Sequence, residues 1–167
     1  MKDKKISPTS VGIIVIISVV LGLVVIFGYI QNSYSTRVKS ITVTSSSGPV
    51  APEFQQTQSI YISKNICEFT TTKTQTNQTS TEECKVLPNK FEAIQNDAKS
   101  YDLVGKIIAN EKDSEADLLG GKNYSIRVEL NDGTILSTEF DNNFNQSIEP
   151  FLDNLNLYVP QFSRLGL

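Results

Sequence analysis

The dominant feature in the pattern of apolar and polar positions is the run Val11 to Ile30, VGIIVIISVVLGLVVIFGYI. It carries no charge, and apart from glycine, Ser18 and Tyr29 every residue is Val, Ile, Leu or Phe. At about 1.5 Å per residue, a helix of that length matches the roughly 30 Å hydrocarbon core of a bilayer. Each of those side chains favours insertion by roughly 0.3 to 0.6 kcal/mol near the helix centre. Abundant Val and Ile do not argue against a helix, because in lipid the backbone must close its own hydrogen bonds. The pattern predicts a transmembrane helix over residues 11–30 as the contact with the lipid bilayer, a cytoplasmic tail over 1–10 and a polar tether over 31–37. The competing reading is a cleaved secretory signal, which would release the protein after cleavage near Ser35; such signals have shorter apolar cores, about 7 to 15 residues. Ser18 and Gly22 have the small-xxx-small spacing that lets membrane helices approach closely.

Beyond the tether the periods shorten. Lys39 to Thr44 alternates around Ile41 and Val43 as a strand, and Ser45 to Pro52 is a turn-rich break. Ser59 to Ile62 and Ile66 to Thr74 are β-rich runs joined at Ser63-Lys64-Asn65, with a third run near Cys84 to Leu87. Thr70 to Thr81 is too polar to bury and predicts a solvated ribbon tip. A turn midway, near Gln75 and Thr76, sets Cys67 opposite Cys84 within reach of a disulfide. Two separately buried thiols are the alternative in a reducing compartment.

Asn89-Lys90-Phe91-Glu92 has the spacing of a capping box, and Phe91, Ile94, Ala98 and Tyr101 recur at helical intervals. This predicts a helix from about Lys90 to Asp102, ended by Gly105, with Lys106 to Ala109 as a short strand or turn. Tyr124, Ile126, Val128 and Leu130 alternate with polar residues before Asn131-Asp132-Gly133, and Thr134 to Phe140 runs back. A three-residue loop pairs Val128 with Leu136, Ile126 with Thr138 and Tyr124 with Phe140, which keeps the apolar side chains together and puts Gly133 at the left-handed position. Ile148, Phe151, Leu152 and Leu155 form one stripe of a last helix starting near Ser147, with Pro150 in its first turn and Pro160 ending it. The expected architecture is α+β: one N-terminal transmembrane helix, then an extracytoplasmic domain over residues 38–160 in which two helices pack on one face of an antiparallel sheet, then a tail over 161–167.

Charge and composition narrow the function. Lys2, Lys4 and Lys5 precede the apolar run whereas Arg37 and Lys39 follow it, a bias that leaves the N-terminus in the cytoplasm and the domain outside. The chain has 18 acidic against 15 basic side chains, and three of the lysines lie before the anchor, so the domain has no basic footprint for nucleic acid. There is no histidine, which removes Ser-His-Asp and Cys-His mechanisms and the commonest zinc ligand. Two cysteines are too few for a structural zinc site and enough for one disulfide, for which closure of the intervening loop contributes about 3 kcal/mol in the chain-entropy account.

Asp113, Glu115 and Asp117 alternate like the start of a calcium loop, but Leu118 stands where that loop needs Gly and Tyr124 where it needs Glu. Sequons begin at Asn77, Asn123 and Asn145, of which Asn77, on the ribbon tip, is the expected glycosylation site. No catalytic, metal or cofactor-binding residue is expected.

Gly120-Gly121-Lys122-Asn123-Tyr124-Ser125-Ile126-Arg127-Val128, Asp132-Gly133, Phe140-Asp141 and the helix from Ile148 to Leu155 resemble the second half of the emfourin family, small α+β proteins that include inhibitors of thermolysin-like metallopeptidases. Gly48-Pro49-Val50-Ala51-Pro52 before Ser59-Ile60-Tyr61-Ile62 is similar to the opening of related anchored domains, so the likeness covers roughly residues 48–160. It implies a non-enzymatic, inhibitor-like domain, although the polar ribbon and its cysteines depart from the family's pattern. The expected function is a single-pass, membrane-anchored, extracytoplasmic protein-interaction module. The alternative is a subunit of a surface filament or secretion complex assembled through the apolar helix.

Overall fold

The computed structural model describes residues 18–25, 37–48, 50–84, 86, 88–113, 122–140 and 142–166. It divides into two units, Met1–Thr36 and Arg37–Leu167. In the first, residues 18–25 are helical and Val19, Val20, Leu21, Leu23, Val24 and Val25 are exposed. Among the described residues no helix is long and apolar enough to cross a membrane. The rest of the expected span 11–30, the tail 1–10, and residues 31–36 of the tether with Ser35 lie outside the described residues.

The second unit is an α+β fold. Its strands are β1 (Val38–Ser47), β2 (Gln56–Ser63), β3 (Cys67–Lys73), β4 (Gln78–Glu83), β5 (Lys122–Leu130) and β6 (Ile135–Glu139). They form one antiparallel sheet in the order β4-β3-β2-β1-β5-β6. Alternation dictates the layering. Ile41 and Val43 on β1 lie between Ile62 and Ile60 on β2 and Val128 and Ile126 on β5, and all six are fully buried. Burying each such side chain is worth roughly 1.5 to 3 kcal/mol. A bulge between Val38 and Ser40 keeps Val38 on that apolar side and turns Lys39 toward Glu129.

Three helices cover the apolar face, one more than expected: α1 (Pro88–Ser100), α2 (Leu103–Asp113) and α3 (Asn142–Tyr158). α1 contributes Phe91, Ile94 and Ala98 to the core, α2 Leu103 and Ile107, and α3 Phe144, Ile148, Phe151, Leu152 and Leu155. α1 starts at Pro88, whose missing N–H is harmless in a first turn, so Asn89 lies inside the helix and is not its cap. The segment expected as a short strand or turn, Lys106 to Ala109, belongs to α2. Gly105 does not end α1; that is done by Asp102, at φ 52°, whose carbonyl accepts the Lys106 N–H to open α2. Gly105 instead makes room: a Cβ there would stand 2.4 Å from the Asp102 carboxyl.

α3 begins five residues earlier than its apolar stripe suggests, so Pro150 falls mid-helix and not in the first turn. Pro150 offers no N–H to the Gln146 carbonyl, and in the same turn Lys106 Nζ donates to the Ser147 carbonyl. A 3-10 segment, Pro160–Leu165, follows with Phe162 and Leu165 buried, so the folded unit extends past residue 160, where the sequence suggested a tail.

The β5–β6 hairpin has the expected register, with Val128 opposite Leu136 and Ile126 opposite Thr138, and the Phe140 N–H donates to the Tyr124 carbonyl. Gly133 adopts φ 86°. A side chain there would meet no atom but would strain the backbone by about 1 to 2 kcal/mol. Gly133→Ala is therefore expected to lower unfolding stability by about 1 kcal/mol with the m-value unchanged, measured by urea denaturation.

Candidate interaction face

The helices cover one side of the sheet, and the residues alternate with the core set on the other side. Register places them in rows. One row runs Thr79, Thr72, Thr57, Ser46, Asn123; the next Thr81, Thr70, Ser59, Thr44, Ser125, Glu139; the third Glu83, Glu68, Tyr61, Thr42, Arg127, Ser137. Residues with small hydroxyls dominate this side, on strands about 4.8 Å apart. On the outer ribbon the hydroxyls of Thr70 and Thr81 lie 3.3 Å apart and those of Thr72 and Thr79 3.1 Å, hydrogen-bonded pairs across β3 and β4.

Toward β5 and β6 the same side hollows into an open groove of about 730 Å³, floored by Ser40, Thr42 and Thr44 and flanked by Tyr61, Arg127 and Glu129. Its volume falls in the range of small-molecule sites, roughly 300 to 1,000 Å³. Lys39 Nζ donates to Glu129 Oε1 at 2.6 Å and Ser40 Oγ to Oε2 at 3.2 Å. The hydrogen bond from Lys39 holds the Glu129 carboxyl below the ordinary value of 4.5, and the same bond raises Lys39. The groove is thus locally charge-balanced, and its chemistry is that of hydrogen-bond donors and acceptors.

At the far edge, Cys67 and Cys84 are joined by a disulfide with Cα atoms 4.9 Å apart, as the midway turn over residues 74–77 predicts. β4 lies earlier than expected: it comprises Gln78–Glu83 and begins inside the polar stretch, whereas Lys85 and Leu87 of the expected run lie outside the described residues. All six of its residues are exposed, so it adds no apolar side chain to the core. Glu83 sits opposite Glu68, a like-charge pair that opposes pairing, one position from the disulfide that holds the strands together. On the other side of β4, Glu82 pairs with Arg164 at 2.8 Å, and that guanidinium lies 4.2 Å over the Phe69 ring. The Arg164 hydrogen bond lowers the Glu82 carboxyl.

Asn77 lies exposed at the ribbon tip with φ 49°. Asn123 is exposed on β5 and Asn145 on α3. Glu115 and Asp117 fall outside the described residues, and among the described residues no three His, Cys, Asp or Glu side chains gather as a metal site. The groove was not singled out from the sequence. Its floor was visible there as the polar half of the β1 alternation, but the rows need the strand order. Comparison of the chain with protein-family models, and with curated protein sequences, gave no match.

Reduction, or joint Cys67→Ser and Cys84→Ser substitution, is expected to lower stability by about 3 kcal/mol, read as a fall in the urea midpoint. Because the folded Glu129 and Glu82 carboxyls titrate below 4.5, the stability they supply is complete above that pH and fades as acid protonates them. Glu129→Gln should therefore flatten the decline of the thermal midpoint between about pH 5 and about pH 3, while leaving the midpoint ordering at neutral pH with the wild type on top.

Proposed function

We propose that this chain is a single-pass membrane protein, anchored by residues 11–30 with its N-terminus in the cytoplasm, whose α+β unit acts outside as a non-enzymatic interaction module. The Cys67–Cys84 disulfide carries this reading, since such bonds persist in oxidising compartments and this one staples a ribbon whose outer strand buries no side chain. The uncharged run and its lysine-rich leading flank supply the anchor and its direction. A broad hydroxyl-bearing face with a groove in it gives the module a surface, and a chain with no histidine lacks the commonest acid–base residue. The resemblance of residues 48–160 to emfourin-like domains makes an inhibitor-like role the form of interaction to test first.

Protease added to intact cells or right-side-out vesicles is expected to degrade the domain, and the membrane-bound chain should change mobility on reduction. Full protection in sealed cells would place the domain in the cytoplasm and remove the basis of this reading.

A further inference from the structure

The two edges of the sheet are finished differently. On β6, the Phe140 N–H donating to Tyr124 and the Leu130 N–H donating to Thr134 put the even-numbered residues in hydrogen bonds with β5, so the Glu139 carbonyl faces outward. α2 packs beside β6, and Asn110 Nδ2 donates to that carbonyl at 2.9 Å and to Thr138 Oγ1 at 2.8 Å. This edge is capped. On β4, the Cys84 N–H donates to the Cys67 carbonyl, which puts Cys84, Glu82, Ser80 and Gln78 in hydrogen bonds with β3. The N–H and C=O groups of Thr79, Thr81 and Glu83 therefore point away from the sheet, along an exposed strand that contains no Pro and no Lys. Natural proteins usually blunt such an edge with those residues, a bulge or a cover.

We propose that β4 is a homotypic pairing edge, at which a second copy of this chain adds its own β4 antiparallel. Among the registers that keep carboxylates apart, the one centred on Thr81 pairs all three outward-facing residues within the strand. With Thr81 opposite Thr81 of the second copy, Thr79 faces Glu83, Ser80 faces Glu82, and Thr79, Thr81 and Glu83 exchange backbone bonds in turn. No carboxylate opposes a carboxylate, whereas moving the centre one residue to Glu82, or two to Glu83, sets like charges face to face. The Thr70–Thr81 and Thr72–Thr79 hydroxyl ladder then continues across the dyad as Thr–Thr and Thr–Glu pairs. The disulfide explains why a strand with no buried side chain is kept in place: it holds the edge in strand geometry for the second copy. The inference does not depend on the membrane anchor.

The test uses the full chain in detergent micelles, followed by sedimentation. Thr81 points its N–H outward, so Thr81→Pro removes no backbone bond to β3, only the side-chain contact with Thr70, but blocks the new pairing. The wild type is expected to sediment as a dimer, and Thr81→Pro to raise its dissociation constant at least tenfold with circular dichroism unchanged. A wild-type monomer throughout the concentration range overturns the proposal. So does a dimer indifferent to Thr81→Pro, which would assign assembly to another surface such as the apolar run. If the proline variant misfolds, Thr81→Cys decides: opposed residues of a hydrogen-bonded pair stand about 5.5 Å apart at Cα, within disulfide range. Mild oxidation should then trap a covalent dimer, and Thr72→Cys, one strand in on the same face, should trap none. Equal trapping, or none with Thr81→Cys, rejects the pairing.

Discussion

Ile41 and Val43 are the side chains through which the rest of the domain is joined. β1 joins the local β1–β4 meander to the distant β5–β6 hairpin, and its isoleucine and valine touch the buried residues of both neighbours. The helices have an apolar surface to pack on because those rows line up across four strands. The same alternation sends Ser40, Thr42 and Thr44 to the opposite side, so the core and the candidate interaction face are two readings of one strand. A change of register at β1 would exchange them.

The two ends of the sheet depend on different forces. Near β6 the packing is ordinary: Leu136 and Phe140 lie partly buried against the core, and Phe140 meets Phe144 edge-on at 5.3 Å. Near β4 there is little to bury, and the strand is held by its ladder, a covalent bond and the Arg164 side chain reaching from the C-terminal 3-10 segment over Phe69. That segment also fixes the other flank of the sheet, where Lys122 Nζ donates to the Leu165 carbonyl and the Tyr124 hydroxyl to the Gly166 carbonyl. Burial raises the Tyr124 phenol, which keeps it a neutral donor.

Parts of this were legible in the residues because several constraints agreed. In the β5–β6 hairpin, apolar alternation and the left-handed Gly133 demand the same register, and in the ribbon the midpoint between Cys67 and Cys84 coincides with the turn. Where only one signal existed it misled. The polar strand β4 has no apolar alternation to mark it, whereas the residues after Cys84 do carry apolar side chains. Among its described side chains α2 has Leu103 and Ile107 fully buried, and it carries a glycine that reads as a stop, when its helix instead begins on the left-handed Asp102. α3 starts with Asn142 and Asn143, poor helix formers, and owes its early turn to Phe144 in the core. The candidate interaction face needed strand order, because its rows join residues from Thr42 to Ser137 that no local pattern connects.

The order of strands also sets a sequence of events. β1 to β4 are consecutive hairpin partners and can pair as each leaves the ribosome or a translocation channel, whereas β5 follows two helices later. Until residue 130 has emerged, β1 presents an open inner edge flanked by Ile41 and Val43, an apolar edge open to pairing with other chains. The chain is exposed to its own misassembly during that interval, and arrival of the β5–β6 hairpin, already nucleated by its tight turn, is what closes it.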